Sequence, residues 1–362
     1  MRKAVLVLVA GVLAVAARGE AFHEKGVANC NGCHVTHPGG GGEGTLVGPS
    51  ADAGLLIAES PSDVCLVCHA ENLGSVLGSD PLAPPPERGA GNFVFLLEDN
   101  LNDARAGATH PVPGDAAGHN LVAPGHGLRA DPRHVVAPGG TFPASRLGCT
   151  SCHDPHGNAS FRMLYGAGPV MGGEYTFTRP APEAEGLDLR SPPERDGRHS
   201  AYRRGISDWC GNCHGASHEG ARASSFEHPT DRALGGRVSQ RYNQYDGDDH
   251  PTDGVETRAY LADVPFEDTG GAPTSTRGPD PGSRVMCLTC HRAHASSAPS
   301  AGRWDFGVAL LVDDGRVSGS HPIPNPYRSP SQGPLCSKCH ETPSGPTGEP
   351  GPPVGFEPPR SW

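Results

Sequence analysis

One apolar run stands apart from the rest of the chain. Residues 4–17 are consecutive apolar residues, preceded by Arg2 and Lys3 and followed by the small residues Gly19 and Ala21. A positive start, a short apolar run and small residues at the end are typical of a secretory signal peptide. The pattern predicts a signal peptide over residues 1–21. The alternative, an uncleaved membrane anchor, fits less well because the run is too short to span a bilayer comfortably.

Beyond residue 21, the hydrophobic positions form neither long Val/Ile/Leu-rich strands nor amphipathic helices. A barrel or a doubly wound fold needs both. Hydrophobic residues make up only 35% of the 362 residues, whereas 51 glycines and 38 prolines make up about a quarter. Such a chain is disordered, cross-linked or built around a group that is not amino acid. The pattern predicts a mostly irregular fold with a few short helices and minimal strand.

All 12 cysteines fall in six Cys-x-x-Cys-His motifs. This motif is the attachment signature of c-type haem: the two thiols bond one macrocycle, and the histidine binds its iron as the proximal ligand. Six disulfides would not require a histidine after each pair, and zinc needs four ligands from paired motifs. The motifs therefore predict six covalent haem c groups whose flat apolar faces form the core.

We number the motifs along the chain: motif 1 is Cys30, Cys33 and His34; motif 2 is Cys65, Cys68 and His69; motif 3 is Cys149, Cys152 and His153; motif 4 is Cys210, Cys213 and His214; motif 5 is Cys287, Cys290 and His291; motif 6 is Cys336, Cys339 and His340.

Thirteen histidines lie outside the motif histidines, more than enough to give each iron a second imidazole. An iron with two histidine ligands has no open position and suits electron transfer better than catalysis. His37, His156 and His294 each follow a proximal histidine by three residues, which places both on one side of a helical turn. Because the proximal histidine already holds that face of its own haem, each of the three must point at a different haem.

The other histidines differ in their local sequence. His119 lies in a Gly-His-Asn-Leu-Val stretch and is a good candidate ligand, whereas His218 is a weaker one. Four histidines precede proline, which holds the preceding residue extended and suits either a ligand presented from a loop or a plain turn. These four are His110, His228, His250 and His321. Three others lie in polar loops flanked by arginine and are predicted to be exposed to solvent: His126, His134 and His199.

The mature start FHEKGVA followed by CNGCHVTH resembles a known family, and so do the segments CTSCHDPHG, SDWCGNCHGASH and CLTCHRAHAS. The family is that of the hexahaem outer-surface cytochromes of the OmcS/OmcE type, which polymerise into extracellular nanowires. The loops 70–108, 161–205 and 231–280 do not match well. The resemblance implies a continuous haem chain, two histidine ligands at every iron, and a His37 that reaches the fifth haem of a neighbouring protomer. A contact of this kind does not close on itself, so it makes a filament.

By the same geometry, we expect a step back of two haems to place His156 on the first haem and His294 on the third. His119 and His228 stand at family histidine positions and are the next expected ligands. The remaining slot is left open among five histidines: His23, His110, His218, His250 and His321.

The division of the chain into segments and its net charge also indicate how it is organised and what it binds. Residues 22–341 are expected to form the haem domain and residues 342–362 a Pro/Gly-rich tail. Without the signal peptide the chain has 26 basic and 39 acidic residues, a formal charge of −13, which argues against a nucleic-acid or anionic-membrane partner. Its expected partners are copies of itself, donor and acceptor cytochromes, and extracellular metal oxides.

The resulting prediction is a secreted electron carrier at the cell surface, without enzymatic activity and without a membrane span in the mature chain. One alternative is a monomeric periplasmic carrier, in which the ligand role of His37 is filled within the chain. Another is a multihaem oxidoreductase, which needs one iron that lacks a second protein ligand.

Overall fold

The computed structural model describes residues 30–34, 56–70, 76–85, 89–99, 101–105, 108–187, 193–215, 230–247, 253–306, 325–327 and 335–340. The predicted signal peptide and the C-terminal tail lie outside these residues. So do six of the candidate ligands: His23, His37, His218, His228, His250 and His321.

The helices of the described residues are short, and most of them carry a Cys-x-x-Cys-His motif. One helical turn brings two cysteines three residues apart to the same side, which attachment to one macrocycle requires. The longest motif helix begins at a proline, and the preceding Ser60 caps it by accepting the Asp63 N–H at 3.1 Å. No described helix is long and apolar enough to cross a bilayer. The helices are α1 (Pro61–His69), α2 (Cys149–Cys152), α3 (Ile206–Cys210), α4 (Gly235–Gln244) and α5 (Cys287–Cys290).

The remaining regular structure consists of small hairpins and single turns. Among the described residues, three two-stranded antiparallel sheets pair β1 with β2, β3 with β4, and β5 with β6. The strands are β1 (Leu101–Arg105), β2 (Ala108–Val112), β3 (Gly168–Val170), β4 (Tyr175–Phe177), β5 (Glu183–Glu185) and β6 (Ala201–Arg204). The 3-10 helices are Cys30–Gly32, Phe93–Leu97, Gly114–Ala116, Pro124–His126, Ala144–Arg146, Phe161–Met163, Met171–Gly173, Glu256–Arg258, Pro299–Ala301 and Leu335–Lys338. The predicted fold class, mostly irregular with short helices and little strand, is confirmed.

The buried apolar side chains of the described residues form three separate clusters instead of one core. The first, around Phe93, packs against Cys149 of motif 3. The second, around Trp304, packs against Cys290 and both cysteines of motif 6. The third, around Met286, packs against Cys210 of motif 4. The apolar interior is therefore divided along the series of motifs.

Candidate haem sites

All 12 cysteines belong to the described part of the chain, and none of them forms a disulfide. Each keeps the free thiol that a thioether bond to haem requires. In motif 3 the two cysteines are the first and last residues of a four-residue helix, and motif 5 has a second helix of the same kind. The donor set and its local geometry therefore fit covalent haem attachment.

Motifs 2 and 3 are in direct contact, and motifs 4 and 5 repeat that contact. In the first pair, the Cys65 thiol hydrogen-bonds to Cys149, and Ser62 Oγ accepts the Cys149 N–H at 3.2 Å. In the second pair, Cys210 hydrogen-bonds to Cys287, and Ser207 Oγ accepts the Cys287 N–H at 2.9 Å. A thiol that donates to its neighbour stabilises the neighbouring thiolate, so the hydrogen bond from Cys210 lowers the pKa of Cys287 to about 7. The cysteines to which successive haems would attach are thereby brought together.

The remaining motifs continue the same series. Burial, and then the two thiols of motif 2, raise the pKa of Cys33 in motif 1. Burial, and then Cys213 of motif 4, raise the pKa of Cys152 in motif 3 to about 12. Burial, and then both thiols of motif 6, raise the pKa of Cys290 in motif 5. Since these thiols lie close enough to act on one another, the six motifs follow each other in space in the order in which they occur along the chain.

Backbone carbonyls orient three of the proximal histidines. A carbonyl oxygen only accepts, so each ring must donate from Nδ1 and present a bare Nε2 to a metal. The bonds are His153 Nδ1 to Arg162 O at 2.8 Å, His214 Nδ1 to Pro138 O at 2.8 Å and His291 Nδ1 to Ser300 O at 3.0 Å. Burial lowers the pKa of His153 and His291, which keeps both rings neutral and able to bind iron.

Two pairs of imidazoles face each other at the separation expected for ligands of one iron. Two metal–nitrogen bonds of about 2.0 Å plus the ring radii place the ring centres roughly 6 Å apart. The rings of His34 and His156 are 6.5 Å apart and 6° from parallel. The rings of His119 and His214 are 5.9 Å apart and inclined by 47°. His119 Nδ1 donates to Ala293 O at 2.8 Å, which directs its other nitrogen away from that carbonyl.

His294 lies deep in the protein beside motif 3. Burial, and then His153, lower its pKa to about 3. Its ring stacks on Phe93 with centres 4.5 Å apart, and its buried Nδ1 has no hydrogen-bond partner. A neutral, buried and unpaired nitrogen beside a proximal histidine is a suitable metal ligand.

The segment 291–296 brings candidate ligands of several motifs together. It contains His291 and His294, and the His294 carbonyl accepts the His119 N–H at 2.9 Å. The neighbouring Gly118 is necessary for this contact, because a Cβ there would lie 2.2 Å from the His294 oxygen. A short peptide thus positions histidines beside motifs 3, 4 and 5.

The local structure around motif 3 is repeated around motif 5, although the residues between the cysteines differ. Equivalent positions are 138 residues apart, as for residues 149 and 287. In each copy the proximal ring donates to a carbonyl nine residues on, from Arg162 or Ser300, and both of those residues have positive φ, 53° and 57°. Sequence reasoning noted the shared CHxxH spacing but missed this repeat. It also missed the Ser-Asp-x-Cys sequence common to motifs 2 and 4, which supplies Ser62 and Ser207.

Three other histidines correct the sequence prediction. His199, predicted to be exposed, is 3% exposed, stacks on Tyr260 and bonds carbonyls through both ring nitrogens. Two of these contacts, with Tyr260 and Ser275, come from distant parts of the chain, so the residues next to His199 in sequence did not indicate its burial. His126 and His134 are half-buried because Asp63 and Asp131 bind their Nδ1 atoms at 3.0 and 2.9 Å.

The backbone positions of the other motif histidines and of His110 are also defined. His69 ends α1, and His340 follows the 3-10 helix Leu335–Lys338, where burial lowers its pKa. His110 lies on β2 opposite Asp103.

Similar proteins are found by sequence and by structure. The chain is 29% identical over 435 aligned residues to the C-type cytochrome OmcS of Geobacter sulfurreducens, covering 94% of this chain and 98% of that protein. The chain is a c-type cytochrome similar to OmcS. Two solved structures from the same organism, an outer membrane cytochrome S filament and OmcS nanowires, superpose on 88% of the cytochrome and 99% of their own chains. Each gives a TM-score of 0.73, at 26% and 27% identity. No known family profile matches the cytochrome.

Proposed function

We propose that this chain carries six haem c groups in single file and conducts electrons along them as a subunit of an extracellular filament. The observation that carries the proposal is the spatial series of the six motifs, in which thiols of successive motifs touch or influence one another. Attachment at each motif places the next haem beside the last. The bound iron supplies the chemistry by cycling between its ferric and ferrous states.

The protein's part is to attach, space and ligate the haems. The twelve motif cysteines form the thioethers, and the six motif histidines are the proximal ligands. We assign His156 to the first haem, His294 to the third and His119 to the fourth, on the ring geometry beside motifs 1, 3 and 4. His228 and one of the five remaining candidates serve the second and sixth haems. With two imidazoles on each iron, no site is left for a substrate, so the protein is a carrier and not an enzyme.

The fifth haem takes its second ligand from another molecule. We assign this role to His37, which follows the proximal histidine of motif 1 by three residues and cannot reach its own iron. A ligand donated head to tail joins each copy to the next without closing a ring. The filament and nanowire structures of the relative support this assembly. Residues 1–21 direct export, residues 22–341 form the filament subunit, and residues 342–362 are a tail.

Electrons enter the filament from cytochromes of the cell envelope and leave to extracellular acceptors such as metal oxides. The net charge of −13 after export disfavours binding to nucleic acid or to an anionic membrane.

Replacement His37→Ala tests the assembly. The variant should retain six haems per chain but form no filaments in electron micrographs, because the ligand between subunits is missing. His134→Ala is the control, since that ring is bound to Asp131 within its own loop. Filaments of normal length in the His37→Ala variant would contradict the proposal and favour a subunit that completes its ligands internally.

A further inference from the structure

The repeat of motifs 3 and 5 allows two haem sites of one chain to be compared position by position. The residue that follows the proximal histidine is Asp154 at motif 3 and Arg292 at motif 5. The residue whose N–H binds the carbonyl of the second cysteine is Tyr165 at motif 3 and Arg303 at motif 5. Equivalent positions therefore carry an acid and a neutral residue at one site but two cations at the other.

Arg303 is buried against the attachment helix of motif 5. It is 1% exposed, and its Nε donates to Leu288 O, within the motif, at 2.6 Å. Its other guanidinium nitrogens donate to the carbonyls of Ala262 at 2.9 Å and Gly89 at 3.3 Å. Carbonyl oxygens satisfy the N–H groups without cancelling the charge. The carboxylates of Glu194 and Asp263 act on the guanidinium and offset part of its charge, so a positive charge remains beside motif 5.

Arg292 adds a second buried cation next to the proximal ligand. It is 4% exposed and donates to Gly89 O at 3.3 Å. Asp263 lies 3.5 Å from its Nη2, but that carboxylate is 29% exposed and offsets the charge only in part. Arg292 directly follows His291 in the chain, and the Arg303 N–H donates to the Cys290 carbonyl at 2.8 Å, so both cations lie beside motif 5.

Opposing charges are present at both sites and are weaker. Glu267, 2% exposed, lies near Cys287, and burial raises its pKa, which disfavours its charged form. At motif 3, Arg162 is an exposed cation that water and salt screen. Buried charges act more strongly than exposed ones, so the two arginines dominate the difference between the sites.

We propose that Arg292 and Arg303 raise the reduction potential of the fifth haem above that of the third, its structural equivalent. A nearby buried cation stabilises the ferrous state, which carries one positive charge less than the ferric state. One electron passes from a ferrous haem earlier in the series to the ferric fifth haem; the donor is oxidised, the fifth haem is reduced, and no bond forms or breaks. The electron is thus held beside the ligand that we assign to a neighbouring subunit. This inference rests on the proposed six-haem function.

Spectroelectrochemical titration of the haem-loaded filament tests the proposal. Arg292→Gln and Arg303→Gln should each move about one sixth of the absorbance change to lower potential, while haem content and the low-spin spectrum stay as in the wild type. Arg303→Lys keeps the charge and should restore most of the wild-type curve. Removing Arg303 leaves buried carbonyls without their hydrogen-bond donor, so a second variant is tested at motif 3. Asp154→Asn removes a negative charge but retains the side-chain oxygen that accepts the His156 N–H at 2.9 Å. This variant should move about one sixth of the absorbance change to higher potential.

Arg162→Gln is the matched control at motif 3 and should shift the curve less than either buried arginine. An unchanged curve in both glutamine variants with full haem content would overturn the proposal, and so would an equal shift in the Arg162→Gln control. Loss of haem or a high-spin spectrum in the wild-type protein would instead count against the proposed function itself.

Discussion

At the residue scale, backbone carbonyls fix which nitrogen each imidazole presents. His119, His153, His214 and His291 all donate Nδ1 to a carbonyl, which leaves the other nitrogen bare. The CHxxH spacing predicted that His156 must point away from its own haem, and its ring lies opposite His34. The partners of the carbonyl bonds, such as Ala293 for His119, come from distant parts of the chain and leave no local signal in the sequence.

Replacement His119→Ala tests whether this imidazole is the second ligand of the fourth haem. One iron of six should lose its second imidazole and become high-spin in the ferric state, because the ring that faces His214 is missing. Electron paramagnetic resonance of the oxidised protein should show about one sixth of the iron in the high-spin signal. A fully low-spin spectrum would show that another ligand serves the fourth haem. His134→Ala provides the comparison and should remain low-spin.

At the element scale, the unit of construction is a pair of short motif helices. α1 contacts α2 and α3 contacts α5, and a serine three residues before the first cysteine caps the next motif in both pairs. The sequence predicted a few short helices without placing them at the motifs. It did not predict the pairing, since the first cysteines of the paired motifs are 84 and 77 residues apart in the sequence.

Replacements Ser62→Ala and Ser207→Ala test the pairing. Each removes one hydrogen bond to a partly buried cysteine N–H and should lower the free energy of unfolding by roughly 1 kcal/mol. Chemical denaturation of the haem-loaded subunit, made monomeric by His37→Ala, measures the change. The exposed Ser79→Ala variant should differ little from its parent. Equal stability of all the variants would mean that the serine contacts do not hold the motif pairs together.

At the scale of the whole molecule, the protein interior is divided among three small clusters that pack on motif cysteines. The low hydrophobic content and the six motifs predicted this dependence on the cofactor. Buried charges, by contrast, were not predicted. The Arg303 guanidinium donates to the carbonyls of Gly89 and Ala262, which are far from it in sequence and meet it only in the folded chain.

Loss of haem tests the dependence on the cofactor. The chain produced without haem attachment should be unfolded, because hydrophobic residues make up only 35% of it and binding of the cofactor supplies the folding free energy. Circular dichroism during heating should show no cooperative transition. A compact apoprotein that melts cooperatively would mean that the amino acids alone form a sufficient core.

We propose a continuous series of six haems, each held between two histidines and extended from one subunit to the next. Electron cryo-microscopy of the secreted, haem-loaded protein would show whether this series exists. We expect a filament in which haems follow one another in motif order, with His156, His294 and His119 on the first, third and fourth irons and His37 on the fifth iron of a neighbouring copy. Separate monomers, or an iron without a second histidine, would contradict the account.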